Sequence, residues 1–117
     1  MEIIEVKGIQ MKKGMKLEIR MTEVLKKRKA LNINDDFGIE QCWNEMTELL
    51  SQNEDEMIRY LADVNEDDLY YISEIFEDIS EKLQSEQFIN CLRELDKKFT
   101  ELDMTKDIDI AESYIEK

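Results

Sequence analysis

Apolar residues recur at spacings of three and four from residue 17 onward, which is the period of an α-helix that packs one face against a core. The spacing predicts six helical segments, at 17–31, 39–50, 53–64, 65–84, 85–102 and 105–115. Polar residues of the types that cap helix N-termini precede four of these segments, at Asn53, Asn65, Ser85 and Thr105. The segment that follows Asn65 is the longest and is predicted to be one continuous helix from residue 66 to 84.

The fold class follows from this spacing and from the scarcity of turn residues. The chain has no proline and three glycines, which leaves little material for the tight turns of an all-β fold. The short connections between segments favour antiparallel neighbours. We therefore predict one all-α domain at 17–117, a compact bundle or irregular stack of five to six short antiparallel helices. Residues 1–16 break the pattern and are predicted to form an N-terminal tail, extended or a strand fragment.

The apolar stripes also predict the residues of the core. We expect the following side chains to be buried: Trp43, Met46, Leu50, Leu61, Leu69, Ile72, Phe76, Ile79, Phe88, Leu92, Leu95 and Phe99. The two cysteines, Cys42 and Cys91, lie among core-type residues and are predicted to be buried small hydrophobic side chains, not a redox pair.

Composition argues against an enzyme and against a cofactor. Without histidine the chain has no His-based triad, general base or zinc site, and it contains no P-loop, nucleophile elbow or CxxC motif. No apolar run approaches the roughly 20 residues that a transmembrane helix requires, and no signal-peptide pattern is visible. We therefore expect a cytoplasmic protein in a reducing compartment that is not bound to a membrane.

Charge is distributed unevenly along the chain. The net charge is −13, of which residues 1–31 carry +5 and residues 32–117 carry −18. The basic part peaks at residues 26–29, which have the sequence KKRK. This segment has two interpretations, a solvated helix that lies against the acidic body or an arm that binds nucleic acid. Because the rest of the domain would repel phosphate, we predict no direct binding to nucleic acid.

One acidic segment has the spacing of a calcium-binding loop. Asp63, Asn65, Asp67 and Glu74 fall on positions 1, 3, 5 and 12 of an EF-hand. Position 6, where the loop requires glycine, is Asp68. Helix capping by Asn65 explains the same residues, because acids in the first turn complement the helix dipole. We predict no metal site, and a calcium-responsive module stays as a weaker interpretation.

The outer face of the 66–84 segment carries acids of one sign together with tyrosine. Between residues 54 and 81 there are eleven acids and one base, Arg59. Like charges at i, i+4 weaken a helix, so such a face favours an interaction surface for a cationic partner over a merely solvated face. The predicted surface, called here the 67–81 stripe, consists of Asp67, Tyr70, Tyr71, Glu74, Glu77, Asp78 and Glu81.

The segments CWNEM (42–46), LYYISEIFEDI (69–79) and DIAESYI (109–115) complete the pattern of a small acidic helical domain. Over about residues 33–117 this pattern resembles the immunity proteins that are encoded beside bacterial polymorphic toxins. The run DDLYY (67–71) also resembles the patch of acids and tyrosines in colicin DNase immunity proteins. The resemblance implies tight, stoichiometric neutralisation of a cognate nuclease or other toxin domain inside the producing cell.

The functional prediction is therefore an immunity protein that binds a basic toxin domain through the 67–81 stripe. The alternative is an acidic adaptor, or a regulator that mimics nucleic acid and occupies a basic protein. Arg59 and the basic residues 26–29 are predicted to lie outside the stripe and to matter little. The oligomeric state stays open.

Overall fold

Seven α-helices follow one another in the computed structural model, which describes the backbone of residues 13–116 and the side chains of residues 16–116. They are α1 (Lys13–Ala30), α2 (Asp36–Ser51), α3 (Glu54–Ala62), α4 (Glu66–Ile72), α5 (Phe76–Leu83), α6 (Glu86–Lys98) and α7 (Thr105–Ser113). Short 3-10 turns lie at Ser73–Ile75 and Thr100–Leu102. The described part contains no strand, so the all-α prediction is confirmed.

The first helix begins four residues earlier than the spacing predicts. Residues 13–16 were expected in the tail, and the structure places them in the first turn of α1. The expectation of a tail or strand fragment for residues 1–12 lies outside the described residues. A helix start at Lys13 includes Gly14, which tolerates a helical backbone at a cost of about 1 kcal/mol relative to alanine.

Three of the predicted N-caps are confirmed by the backbone N–H groups that they accept. Each cap oxygen accepts from the residue three positions on, namely Asn53 from Glu56 at 3.0 Å, Asn65 from Asp68 at 2.8 Å and Ser85 from Phe88 at 3.0 Å. The prediction for Thr105 is wrong, because Thr105 is already inside α7 and its hydroxyl donates to Asp96 at 2.6 Å. Asp35, which the spacing did not single out, caps α2 by accepting from the Gly38 N–H at 2.9 Å.

The predicted 66–84 helix is interrupted at the 3-10 turn, so the prediction of one continuous helix is wrong. Ile75 has φ −121° and ψ 16°, outside the helical range, and its side chain is fully buried. At the start of the turn the Ser73 hydroxyl donates to the Tyr70 carbonyl at 2.6 Å. Serines that bond back to a carbonyl of the preceding turn bend helices, and the backbone here changes course from α4 to α5.

The core lies between all seven helices. Helix α1 packs on α2 and α3, α5 packs on α2 and α7, and α6 packs on α3 and α7. Phe76 of α5 and Phe88 of α6 meet edge to face, with ring centroids 6.2 Å apart. Of the twelve side chains predicted to be buried, all are buried except Trp43 and Phe99, which are half-buried against the core.

The prediction that both cysteines are buried is confirmed for one of them. Cys42 is buried and Cys91 is half-buried. Burial raises the pKa of both thiols, and a raised pKa lowers the fraction of reactive thiolate at neutral pH.

A side-chain connection ties the end of α5 to the residues that follow α7. Gln84 adopts a left-handed backbone conformation with φ 51°. Its amide nitrogen donates to the Tyr114 carbonyl at 2.9 Å, and its amide oxygen accepts from the Glu116 N–H at 2.7 Å. One turn earlier the buried Ser80 hydroxyl donates to the Ala111 carbonyl at 2.6 Å. Helices α5 and α7 are therefore joined by hydrogen bonds as well as by packing.

Candidate partner-binding surface

The break after α4 divides the 67–81 stripe into two parts. Asp67, Tyr70 and Tyr71 lie on α4, and Glu74 lies in the 3-10 turn. The remaining residues, called here the α5 acids, are Glu77, Asp78 and Glu81. The two parts have different surroundings, and the difference decides which residues are available to a partner.

Residues at the basic end of α1 pair with acids in the first part of the stripe. Arg28 forms a bidentate ion pair with Glu74, with Nε 3.0 Å from Oε1 and Nη2 2.8 Å from Oε2. The Arg28 side chain is 10% exposed and that of Glu74 is 26% exposed. The indole nitrogen of Trp43 donates to the same Oε1 of Glu74 at 2.9 Å. The hydrogen bond to Glu74 raises the pKa of Arg28.

Tyr71 and the acids of the first turn of α4 complete this cluster. The guanidinium carbon of Arg28 lies 5.1 Å from the centroid of the Tyr71 ring, a cation–π distance. Lys29 donates to a carboxylate oxygen of Asp67 and to one of Asp68, each at 2.6 Å, and these bonds raise the pKa of Lys29. Apart from Asp68, the residues that Arg28 and Lys29 contact were predicted to bind a partner.

The expectation that residues 26–29 are separate from the stripe does not hold for Arg28 and Lys29, which contact stripe residues. Arg28 and Lys29 neutralise Glu74, Asp67 and Asp68, as expected from the interpretation of the basic segment as a helix that lies against the acidic body. A partner that used Glu74 would have to separate it from Arg28. Separating this partly buried ion pair leaves an uncompensated charge and costs about 2–4 kcal/mol, slightly less than for a fully buried pair.

The α5 acids have different surroundings from the acids of α4. Glu77, Asp78 and Glu81 are exposed, and none of them forms an ion pair among the residues that the structure describes. Partial burial raises the pKa of Asp78, and the charges of Glu77 and Glu81 raise it further. Among the described residues no base compensates the charge repulsion within this group, and a cationic partner would relieve it.

Two aromatic side chains near the ends of α4 and α7 face solvent. Tyr70 is 56% exposed, and its ring meets Tyr71 edge to face with centroids 5.2 Å apart. Tyr114, which directly follows α7, is 40% exposed, and a hydrogen bond to the neighbouring Glu77 carboxylate raises its pKa. Tyr114 was not predicted for the site, because its place beside α5 depends on how α7 packs.

Helix α2 adds acids that sequence reasoning missed. A groove between α2 and α5, called here the α2–α5 groove, has a volume of about 650 Å³. Its lining includes Glu40, Trp43, Thr47 and Glu48 from α2 and Asp78, Glu81 and Lys82 from α5. The α2 residues share one helix face by their spacing, which the sequence shows, but the spacing does not tell which helix lies opposite.

The residues with the spacing of a calcium loop are not brought together. Asn65 caps α4, Asp67 pairs with Lys29, and Glu74 pairs with Arg28. In the part of the chain that the structure describes, no group of three or more histidine, cysteine, aspartate or glutamate side chains is arranged to hold a metal ion.

Comparison of the chain with protein-family models, curated proteins and solved structures found no match. Among the described helices, none has the length and apolar character needed to cross a membrane.

Proposed function

We propose that the chain is the immunity protein of a toxin–immunity pair and that it neutralises a cognate cationic toxin domain by binding it. The observation that carries the proposal is the group of α5 acids, exposed and without a cation partner in the described part of the molecule. The resemblance of residues 33–117 to immunity proteins supplies the biological context.

The physical case starts from the long-range field. A net charge of −13 on 117 residues accelerates encounter with a basic protein and slows encounter with nucleic acid. Close charge pairs formed on docking then contribute to affinity, and exposed aromatic rings give rigid contact area at low entropic cost. Tyr70 and Tyr114 are exposed aromatic residues, and Tyr114 lies beside Glu77.

The proposed binding residues are narrower than the 67–81 stripe. Tyr70, Glu77, Asp78 and Glu81 remain available, whereas Tyr71 and Glu74 are engaged by Arg28 and Asp67 by Lys29. In this proposal Tyr71 and Glu74 stabilise the fold beneath the binding surface.

Co-expression tests this function. The candidate toxin is the C-terminal domain of any large secreted protein that is encoded immediately upstream, and it is induced in cells with and without this chain. We expect the wild-type chain to restore growth, and a 1:1 complex whose association rate falls steeply with added salt. Death of cells that express both proteins, or the lack of such an upstream gene, would overturn the immunity proposal. Binding to a basic regulator instead would favour the acidic adaptor.

A further inference from the structure

Two large apolar side chains, called here the loop pair, are exposed where α1 joins α2. Ile33 is 80% exposed and Phe37 is 72% exposed, the highest values among the large hydrophobic side chains that the structure describes. Ile33 lies in the turn between the two helices, and Phe37 lies in the first turn of α2. Single exposed apolar residues are common on protein surfaces, but two of them this close in the chain and this exposed favour a contact surface.

Hydrogen bonds fix the backbone that carries the loop pair. The Asn34 N–H donates to the side-chain oxygen of Asn32 at 2.8 Å, and the Asp35 N–H donates to the Asn32 carbonyl at 2.9 Å. The Asp35 carboxylate then caps α2 by accepting from the Gly38 N–H. Binding at this loop therefore needs little further ordering of its backbone.

Charges of both signs flank the loop pair. Lys26 and Lys27 lie near the end of α1, and Asp35, Asp36 and Glu40 lie at the start of α2. The five side chains are exposed, and within residues 16–116 none of them forms an ion pair. Because α1 and α2 pack together and a short loop joins them, bases and acids meet at the same end of the two helices.

This mixture of signs distinguishes between partners. A strongly cationic partner would be repelled by the bases, and an acidic one by the acids. A second copy of the chain carries both signs, and in a two-fold dimer the same patch meets itself, so the bases of each copy lie toward the acids of the other. The net charge of −13 opposes association at long range. At about 0.15 M salt the Debye length is about 8 Å, so the charges beside the contact dominate.

We propose that the loop pair is the contact surface between two copies of this chain in a two-fold dimer. Ile33 and Phe37 of each copy are covered by those of the other, and the flanking bases and acids pair across the interface. The patch is small, so the interface buries less than about 1,200 Å², and the dimer is weak and reversible.

Sedimentation equilibrium of the full chain measures the association, at concentrations from about 10 μM to about 1 mM. We expect a monomer–dimer equilibrium with a Kd on the order of 100 μM. The loop variant is I33S/F37S. The matched control is I19S/I110S, which removes two exposed apolar side chains from α1 and α7. The loop variant should weaken the dimer by about tenfold or more, and the control should stay within about twofold of wild type.

Two charge-reversed variants test the pairing across the two-fold axis. K26E/K27E reverses the bases, and D36K/E40K reverses two of the acids. Each variant alone should dimerise less than wild type, whereas an equimolar mixture should form a heterodimer that is tighter than either homodimer. Net charge alone would place the mixture between its components, because one variant is more negative than wild type and the other is less negative.

Three results would overturn the proposal: a wild-type chain that stays monomeric up to about 1 mM, equal weakening by I33S/F37S and I19S/I110S, or a mixture of intermediate affinity. Far-UV spectra establish that the variants are folded. A monomeric wild-type chain whose affinity for the toxin domain falls in I33S/F37S would assign the loop pair to the toxin instead. The dimer forms without a toxin, so its absence leaves the immunity function standing, and a lack of protection leaves the dimer standing.

Discussion

Arg28 holds together three elements, because its guanidinium contacts Glu74 in the 3-10 turn and the Tyr71 ring on α4 from its own place on α1. Replacing it by alanine leaves the Glu74 carboxylate partly buried beside Trp43 without its cation. We expect Arg28→Ala to lower the free energy of unfolding by about 2–4 kcal/mol, slightly less than for a fully buried pair. Urea denaturation followed by circular dichroism measures this.

Lys29 is the matched control, since it lies next to Arg28 in the chain and also pairs with two acids. Its side chain is 32% exposed, and those of Asp67 and Asp68 are 74% and 23% exposed, so solvent screens the contact to Asp67 most. Lys29→Ala should therefore cost less than about 1 kcal/mol. Equal losses of unfolding free energy in the two variants would show that the bidentate contact to Glu74 stabilises the fold no more than the contacts of Lys29 do.

Asp78 gives the protein a pH dependence with a definite sign. Its pKa is raised in the folded state, so the folded protein binds the proton more tightly than the unfolded chain does. The stabilisation from this group is present below about pH 4, the usual pKa of aspartate, and is lost as the pH rises through the raised pKa. Wild type should therefore gain stability relative to Asp78→Asn as the pH falls from about 7 to about 4.

The effect of Asp78 should be about 0.5 kcal/mol or less, because solvent screens an exposed carboxylate. Thermal unfolding of wild type and Asp78→Asn over this pH range measures the difference between them. A difference that stays constant with pH, or that changes in the opposite direction, would contradict the raised pKa.

At the scale of the helices, Ser85 and Thr105 make a paired test of capping. Both were predicted as caps from the same pattern, but only Ser85 accepts a helix N–H, and its hydroxyl also donates to the Glu54 carboxylate on α3. We expect Ser85→Ala to cost about 1–2 kcal/mol and Thr105→Ala about half as much or less. Chemical denaturation of both variants gives the comparison, and a larger loss for Thr105→Ala would contradict the cap assignment.

The elements show where sequence reasoning succeeds and where it fails. Capping by Asn53, Asn65 and Ser85 is local, so residue type and spacing predict it. The interruption between α4 and α5 is harder to predict, because the local bond of the Ser73 hydroxyl to the Tyr70 carbonyl is one that serine can make without ending a helix. Burial of Ile75 against the core favours the bent path, and that burial depends on the packing of the other helices.

At the scale of the whole molecule, charge repulsion should make stability depend on salt. The net charge is −13, and few of the acids are paired by bases in the described residues. Raising the ionic strength from about 20 mM to about 200 mM shortens the range of repulsion, so the melting temperature should rise by several degrees. Sodium and potassium chloride should act alike. A melting temperature that falls with salt would mean that ion pairs dominate over repulsion.

The candidate surface was harder to predict than the fold. The helical period identified the acids on the outer face of α4 and α5, and Glu77, Asp78 and Glu81 are exposed as expected. The period did not reveal that Arg28 pairs with Glu74, because the two residues are 46 positions apart. It likewise did not place Trp43 and Glu40 beside Asp78 and Glu81, since that neighbourhood arises from the packing of α2 on α5.

The hydrogen bond between the Gln84 side chain and the Glu116 N–H should slow the exchange of one backbone hydrogen with solvent. Residues near the end of a helical domain usually fray, and their amide hydrogens exchange quickly. The Glu116 N–H, however, is held by the Gln84 side chain from 32 positions earlier in the chain. Its hydrogen should exchange with deuterium more slowly than that of an unbonded amide, and Gln84→Ala should remove the protection of this one amide while leaving the helices protected.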